Sequence, residues 1–146
     1  MASITNIGHG AIRARDAEKT AEFYREVLGF REAFRMYGED GALGTIYLYV
    51  NDGGFLEIFT NGKEEAPVNG QTIGYCHVCY ETDNIEEMYR RVQEAGAPID
   101  IPLKTGNAKC LLFFTHDPDG NAVEVMELPP DSLQAQARKR LEGGES

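Results

Sequence analysis

The chain has 146 residues, of which 42% are hydrophobic and 26% charged, as is typical of a soluble globular protein. This length suffices for one domain, whose core two small modules could share. Its 14 basic and 24 acidic residues give a formal net charge of −10. That charge argues against nucleic acid or an anionic membrane as a partner, because either would repel this surface. No segment approaches the roughly 20 apolar residues that cross a bilayer. The N-terminal sequence lacks the pattern of a secretory signal, so we expect a cytoplasmic protein.

The first half of the chain predicts one helix and four strands. Residues 4–13 predict a strand, and Asp16 is placed to cap a helix over residues 17–27, where apolar side chains follow a helical spacing. Gly29 would end that helix. The remaining strands are predicted at residues 30–37, 45–50 and 55–59, with a tight hairpin turn at residues 51–54 before the last of them.

The second half retraces this order after a linker at residues 61–72. Its predicted elements are a strand at 74–81, a helix at 84–95, a short extended piece at 98–102, and strands at 110–115 and 122–128. Each half is therefore βαβββ, and the predicted fold class is α+β with two tandem βαβββ modules. We expect a single domain over residues 1–128, with modules at about 4–60 and 73–128. Residues 129–146 would form a C-terminal tail, with a short amphipathic helix at 131–141.

The repeat duplicates a histidine and a glutamate. At an offset of 67 or 68 residues, His9 corresponds to His77 and Glu57 to Glu124. Two such modules can pair so that both imidazoles and both carboxylates converge on one point. This ligand set fits a divalent transition metal with solvent positions left open, and nickel, cobalt or zinc would suit mixed nitrogen and oxygen ligation.

Both glutamates lie inside apolar strands. Glu57 is flanked by Leu56 and Ile58, and Glu124 by two valines, and these neighbours should point to the opposite face from the carboxylate. A carboxylate buried there without a partner would cost several kcal/mol, and a metal is one of the few strong partners. A lone strand histidine is more often a core residue than a ligand. A set of four matched across a repeat favours the metal site.

Other polar residues fit ordinary structural roles. Cys76 and Cys79 are three apart in a predicted strand and should point to opposite faces, so we interpret them as buried, reduced thiols and not as a redox or metal pair. His116 has no histidine at the equivalent position of the first half, which favours a surface residue. Asp16 and Asp83 are predicted to cap helices.

These motifs resemble the vicinal oxygen chelate superfamily and, within it, glyoxalase I. The resemblance covers residues 4–128, and its motifs are Gly8-His9 with Arg13, the segment from Phe23 to Phe30, Leu56-Glu57-Ile58, the segment from Gly74 to Val78, and the Asp117-Pro118-Asp119-Gly120 turn before Glu124. It implies the glyoxalase/bleomycin-resistance/dioxygenase-like fold, assembled as a homodimer, with metal ligands His9, Glu57, His77 and Glu124. Other members of the superfamily usually replace or omit the first carboxylate, so the full set resembles glyoxalase I.

Glyoxalase I activity would convert the hemithioacetal of glutathione and a 2-oxoaldehyde, such as methylglyoxal, into a 2-hydroxyacyl thioester. The resemblance thus implies a divalent metal cofactor, glutathione as co-substrate and a role in methylglyoxal detoxification. It implies Glu124 as the base that moves a proton from C1 to C2, with Glu57 as its counterpart. Arg13 and Asn61 match positions that bind glutathione in that family, and Lys104 or Lys109 would bind its carboxylates.

Other functions remain open from the sequence. One is an epimerase, isomerase or lyase that acts on another 2-oxo or thioester substrate through the same enolate chemistry. A large basic surface that binds the nucleotide would favour a coenzyme A thioester as the substrate, and the net charge of −10 offers no such surface. A metal-dependent dioxygenase is another. A non-catalytic metabolite-binding protein is the last, but it has no need of two buried glutamates.

Overall fold

The two halves of the chain form two four-stranded sheets in a computed structural model that describes residues 6–52, 54–64 and 73–143. The elements in chain order are β1 (His9–Arg13), α1 (Ala17–Glu26), β2 (Arg31–Tyr37), β3 (Leu43–Tyr49), β4 (Phe55–Phe59), β5 (Val78–Glu81), α2 (Ile85–Glu94), β6 (Ile101–Thr105), β7 (Leu111–His116), β8 (Ala122–Glu127) and α3 (Leu133–Glu142). The strand orders are β1-β4-β3-β2 and β5-β8-β7-β6. The predicted α+β class with tandem βαβββ modules is confirmed. No helix within the described residues is long and apolar enough to cross a membrane.

The chain divides into two compact units that meet in sequence between Gly74 and Tyr75. The first unit also includes the turn Asp117–Asp119, and the second includes α3. Each unit therefore contains one βαβββ module. The single domain over residues 1–128 stays a prediction.

Helix α1 covers one face of the first sheet. It begins after Asp16, whose side chain accepts a hydrogen bond from the Lys19 N–H at 3.2 Å, as predicted for a cap. Its buried residues are Ala17, Thr20, Ala21 and Tyr24, a spacing that puts all of them on one stripe. They pack against the buried strand residues Ile46, Leu48, Leu56 and Ile58. Because a ten-residue helix is marginal alone in water, this packing provides most of its stability.

Helix α2 occupies the equivalent place on the second sheet, but its cap differs from the prediction. The side chain of Asn84, not that of Asp83, accepts the hydrogen bond from the Glu87 N–H, at 3.0 Å. Asn84 has the extended backbone of a cap, with φ −149° and ψ 90°, so its side chain is the one that reaches this N–H. The prediction for Asp83 was wrong by one residue.

The Asp-Pro-Asp turn is anchored to the first unit by hydrogen bonds from α1 and from the backbone just before it. The Tyr24 hydroxyl donates to the buried Asp117 carboxylate at 3.2 Å. The Thr20 hydroxyl and the Arg15 N–H both donate to Asp119 Oδ2 at 3.2 Å. These bonds explain why a turn from the second half of the sequence belongs to the first unit.

Two strands begin later than predicted, because a strand extends only as far as a neighbour accepts its hydrogen bonds. The first begins at His9, which pairs with Phe55, the first residue of β4. The fifth begins at Val78, which pairs with Val123 near the start of β8. Residues 1–5, which include the first part of the predicted strand, lie outside the described residues.

The cysteines do not share one environment. Cys76 precedes β5 and is exposed, so the prediction that it is buried in a strand was wrong. Cys79 is half-buried and Cys110 is buried. All of them are free thiols.

Thr115→Val is expected to raise the free energy of unfolding by about 1 kcal/mol. The Thr115 side chain is fully buried, and its hydroxyl has no hydrogen-bond partner within the described residues. Valine keeps the shape and removes the unsatisfied group. The matched control is Thr20→Val, which removes a hydroxyl bonded to Asp119 and should lower stability by about 1 kcal/mol. Denaturant unfolding of both variants measures this, and equal signs would contradict the assignment.

Candidate active site

The first module brings His9 and Glu57 together. Their strands, β1 and β4, are parallel neighbours, with Ala11 beside Glu57, so both side chains lie on the same face of the sheet. His9 Nε2 is 3.3 Å from Glu57 Oε2. The imidazole is 48% exposed, whereas the carboxylate is only 11% exposed. One module thus supplies a nitrogen and an oxygen donor side by side.

The second module repeats this pair with His77 and Glu124. His77 Nε2 is 2.9 Å from Glu124 Oε2, and the side chains are 33% and 13% exposed. The other ring nitrogen of His77, Nδ1, lies 3.3 Å from Cys76 Sγ. The predicted duplication is therefore present in the structure as two similar pairs.

Each of the two pairs has the ligand chemistry of half a metal site. Both carboxylates are largely buried, which is costly for a charged group without a strong partner, and in both pairs the facing nitrogen is Nε2. Across residues 6–52, 54–64 and 73–143, no group of three or more His, Cys, Asp or Glu side chains is arranged to hold a metal ion. Each module thus supplies two donors, and two imidazoles with two carboxylates suit nickel, cobalt or zinc.

Tyr47, which the sequence analysis did not select, lies directly across from Glu57. The two residues are partners in the antiparallel pairing of β3 and β4. Hydrogen bonding to the Glu57 carboxylate, followed by burial and the charge of Glu57, raises the pKa of Tyr47. The phenol therefore keeps its proton and can donate it to this carboxylate. The register set by the predicted hairpin turn was the signal that could have identified this residue.

Cys79 is the neighbour of Glu124 on the adjacent parallel strand, in the place that Ala11 takes beside Glu57. Burial, and then the negative charge of Glu124, raise the pKa of Cys79 to about 12. Cys79 therefore stays a neutral thiol at ordinary pH, a weak donor to Glu124 and not a nucleophile.

Two of the predicted substrate-binding residues contact each other. The Arg13 guanidinium donates a hydrogen bond to the Asn61 side-chain oxygen. It also lies over the ring of Phe59, 5.0 Å from the ring centroid. Because Arg13 is two residues from Ala11 on β1, it lies on the same face as Glu57 and places an exposed cation near that carboxylate.

Lys104, the third predicted substrate-binding residue, is an exposed residue of β6. It pairs with Leu112, which pairs with Met126, so the register places it on the face of the second sheet that carries Glu124. Lys109 lies in a turn with φ of 59°.

His116 forms an ion pair with Asp100 at 2.8 Å, with both side chains about two-fifths exposed. It pairs with Ala122, so the register places it on the same face of the second sheet as Glu124. Its exposure agrees with the prediction of a surface residue.

The family model of the Glyoxalase/Bleomycin resistance protein/Dioxygenase superfamily matches residues 6–125. The chain belongs to this superfamily. Both His–Glu pairs lie inside the matched range, and the family predicted from the sequence motifs is confirmed.

Several relatives of this chain are lactoylglutathione lyases. A lactoylglutathione lyase of Schizosaccharomyces pombe is 30% identical in an alignment that covers 86% of this chain and 50% of that protein. The chain thus spans half the length of that relative. A lactoylglutathione lyase of Neisseria meningitidis serogroup A is 27% identical, with 82% of this chain and 88% of that protein covered. The solved structure of a glyoxalase family protein from Enterococcus faecalis has a TM-score of 0.71 and 29% identity, and covers 84% of this chain and 97% of that chain.

Proposed function

We propose that this protein is a metal-dependent, glyoxalase I-like lyase. Its substrate would be the hemithioacetal of glutathione and a 2-oxoaldehyde such as methylglyoxal, and its product a 2-hydroxyacyl thioester. The observation that supports this most directly is the duplicated pair of imidazole and buried carboxylate, at 3.3 Å in one module and 2.9 Å in the other. Family membership adds to it, since lactoylglutathione lyases are among the relatives.

The proposed metal ligands are His9, Glu57, His77 and Glu124, one pair from each module. When bound, nickel, zinc or cobalt would supply a Lewis acid that stabilises negative charge developing on two adjacent substrate oxygens. For this role both imidazoles must be neutral and both carboxylates ionised. The pairs already hold each nitrogen donor close to an oxygen donor, which reduces the rearrangement needed for binding.

In this proposal Glu124 is the proton carrier. Its carboxylate removes the proton from C1 of the substrate and returns it to C2, and the hydroxyl proton passes from the oxygen on C1 to the oxygen on C2. The reaction is therefore an isomerisation that needs no oxidant or reductant. Glu124 is only 13% exposed, and its strand neighbours are Phe114 and the neutral thiol of Cys79. This shielding would keep the proton from exchanging with bulk water during the transfer.

Glutathione would bind through its carboxylates to cationic side chains. Arg13 is the strongest candidate, because it is exposed on the face of Glu57 and is held by Asn61. Lys104, on the face of Glu124, is proposed as a second one.

We also propose a homodimer. Phe34 and Met36 lie on the Glu57 face of the first sheet, opposite Tyr47 and Thr45, and remain about half exposed. Apolar side chains around a largely buried carboxylate are typical of a surface that another module covers.

Removal of metal is expected to abolish turnover, and nickel, zinc or cobalt should each restore it to a different extent. The purified protein is first analysed for bound metal. Thioester formation from methylglyoxal and glutathione is then followed by its ultraviolet absorbance, before and after treatment with a chelator. A turnover of about 10 s⁻¹ would be ordinary for an enzyme.

The same metal analysis and turnover assay, extended to an acyl-coenzyme A substrate, separate the alternatives. A protein that binds metal and forms no thioester, but exchanges the α-proton of an acyl-coenzyme A, would be an epimerase. A protein that binds no metal and turns over neither substrate would be a binding protein. Either result would overturn the proposed function.

A further inference from the structure

The two His–Glu pairs differ in one chemical group. At the position of Tyr47 in the first module, the repeat places Phe114 in the second. The sheet registers confirm this correspondence, since Tyr47 pairs with Glu57 and Phe114 pairs with Glu124. One candidate ligand carboxylate therefore faces a phenol, and the other faces a ring without a hydroxyl.

The phenol of Tyr47 is held in place by its ring. The ring stacks on Phe34 with centroids 4.3 Å apart and planes 16° apart. It also meets His9 edge-on at 5.9 Å and Phe55 at 6.4 Å. The phenol that faces Glu57 across the strands thus belongs to a ring packed against three aromatic neighbours. Tyr47 contacts both members of the first pair at once.

The strand neighbours of Glu124 are weaker hydrogen-bond donors than Tyr47. Phe114 meets His77 edge-on at 5.2 Å, which matches the contact of Tyr47 with His9, but it offers the carboxylate no donor. The polar group beside Glu124 is the thiol of Cys79, and a thiol is a weak hydrogen-bond donor. The second carboxylate therefore lacks the phenol that faces the first, and its close partner is His77 Nε2 at 2.9 Å.

We propose that Tyr47 is a positioning residue that fixes Glu57 as a permanent metal ligand, while the absence of its counterpart at Phe114 leaves Glu124 free to move a proton. This inference rests on the proposed function. Its physical basis is that a donor bonded to a ligand carboxylate orients that carboxylate and increases retention of the metal. A base must instead move between its partners during turnover, and a fixed donor would hinder that movement.

The test is a comparison of Tyr47→Phe with Tyr49→Phe. Both substitutions remove one hydroxyl from β3 and keep the ring, and Tyr49 also packs against Phe55, at 5.5 Å. Metal affinity is measured by competition with a chromophoric chelator, and thermal stability is recorded alongside. For Tyr47→Phe the metal Kd should rise about 10- to 100-fold, with kcat at saturating metal close to that of the unmodified protein. For Tyr49→Phe the Kd should not change.

The reciprocal variant is Phe114→Tyr, which places a phenol opposite Glu124. It should lower kcat by about tenfold and leave KM unchanged, while the metal is held at least as tightly as in the unmodified protein. If Tyr47→Phe holds metal as tightly as the unmodified protein does, or if Tyr49→Phe weakens it equally, the role of Tyr47 is wrong while the proposed function stands. If the unmodified protein binds no metal, the proposed function fails and this inference fails with it.

Discussion

Glu124→Gln is expected to lower kcat by about 10²- to 10⁴-fold while the protein keeps its metal. Glutamine has the shape of glutamate and retains an oxygen that can coordinate a cation, but its amide does not accept the substrate proton. The carboxylate is only 13% exposed and pairs with His77 at 2.9 Å, so the substitution leaves the surrounding packing intact. Metal content and steady-state turnover of the variant give the two required measurements.

Two control variants sharpen this experiment. Glu57→Gln alters the equivalent carboxylate and should weaken metal binding more than it lowers kcat at saturating metal. Glu81→Gln alters an exposed glutamate that pairs with Arg138 at 2.8 Å, and it should leave activity unchanged. Activity of Glu124→Gln within tenfold of the unmodified protein would contradict the base assignment. Loss of turnover in metal-saturated Glu57→Gln alone would assign the base to Glu57.

Phe113→Ala is expected to lower the free energy of unfolding by about 3–5 kcal/mol. Phe113 is fully buried on the helix face of the second sheet, where its ring meets Tyr89 edge-on at 5.1 Å. Truncation removes apolar burial and leaves a cavity that the β-sheet and α2 fill only in part. Denaturant unfolding in the presence of a chelator gives the value without a contribution from bound metal.

The control for this variant is Tyr37→Ala, an aromatic truncation on β2 at a position that is 61% exposed. It should change stability by no more than about 0.5 kcal/mol. A loss of less than about 1 kcal/mol for Phe113→Ala would mean that this residue does not belong to the core.

The sequence predicted most of the fold because its turns and apolar patterns are local. The strand at residues 55–59 was predicted with its observed bounds, since the hairpin turn before it and its alternating side chains leave one assignment. The helix after Asp16 was predicted to within a residue, because the cap and the buried stripe are both visible in the sequence.

The errors concern features that depend on a partner strand. β1 and β5 begin where β4 and β8 can pair with them, which no local pattern shows. β6 was predicted at residues 98–102 and lies at Ile101–Thr105, with an irregular register between Ile101 and Lys104. Pro102 falls in this irregularity, where its missing N–H is tolerated.

The His–Glu pairs were predictable, whereas most of their surroundings were not. Repetition of His9 and Glu57 at an offset of 67 or 68 residues was sufficient to select both pairs. Selection of Tyr47 and Cys79 required knowledge of which residues face each glutamate across neighbouring strands. Such contacts depend on register between strands, and periodicity within a single strand does not contain that information.

In each module the histidine lies in the first strand or just before it, and the glutamate lies in the last strand. These two strands are hydrogen-bonded neighbours. An ion bridging His9 and Glu57 would therefore cross-link the ends of a long loop that includes α1, β2 and β3. Like a disulfide over a similar span, such a link would restrict the unfolded chain. Loss of the ion would then make the whole module easier to unfold and more sensitive to proteolysis, so metal supply would control how long the protein persists as well as how fast it works.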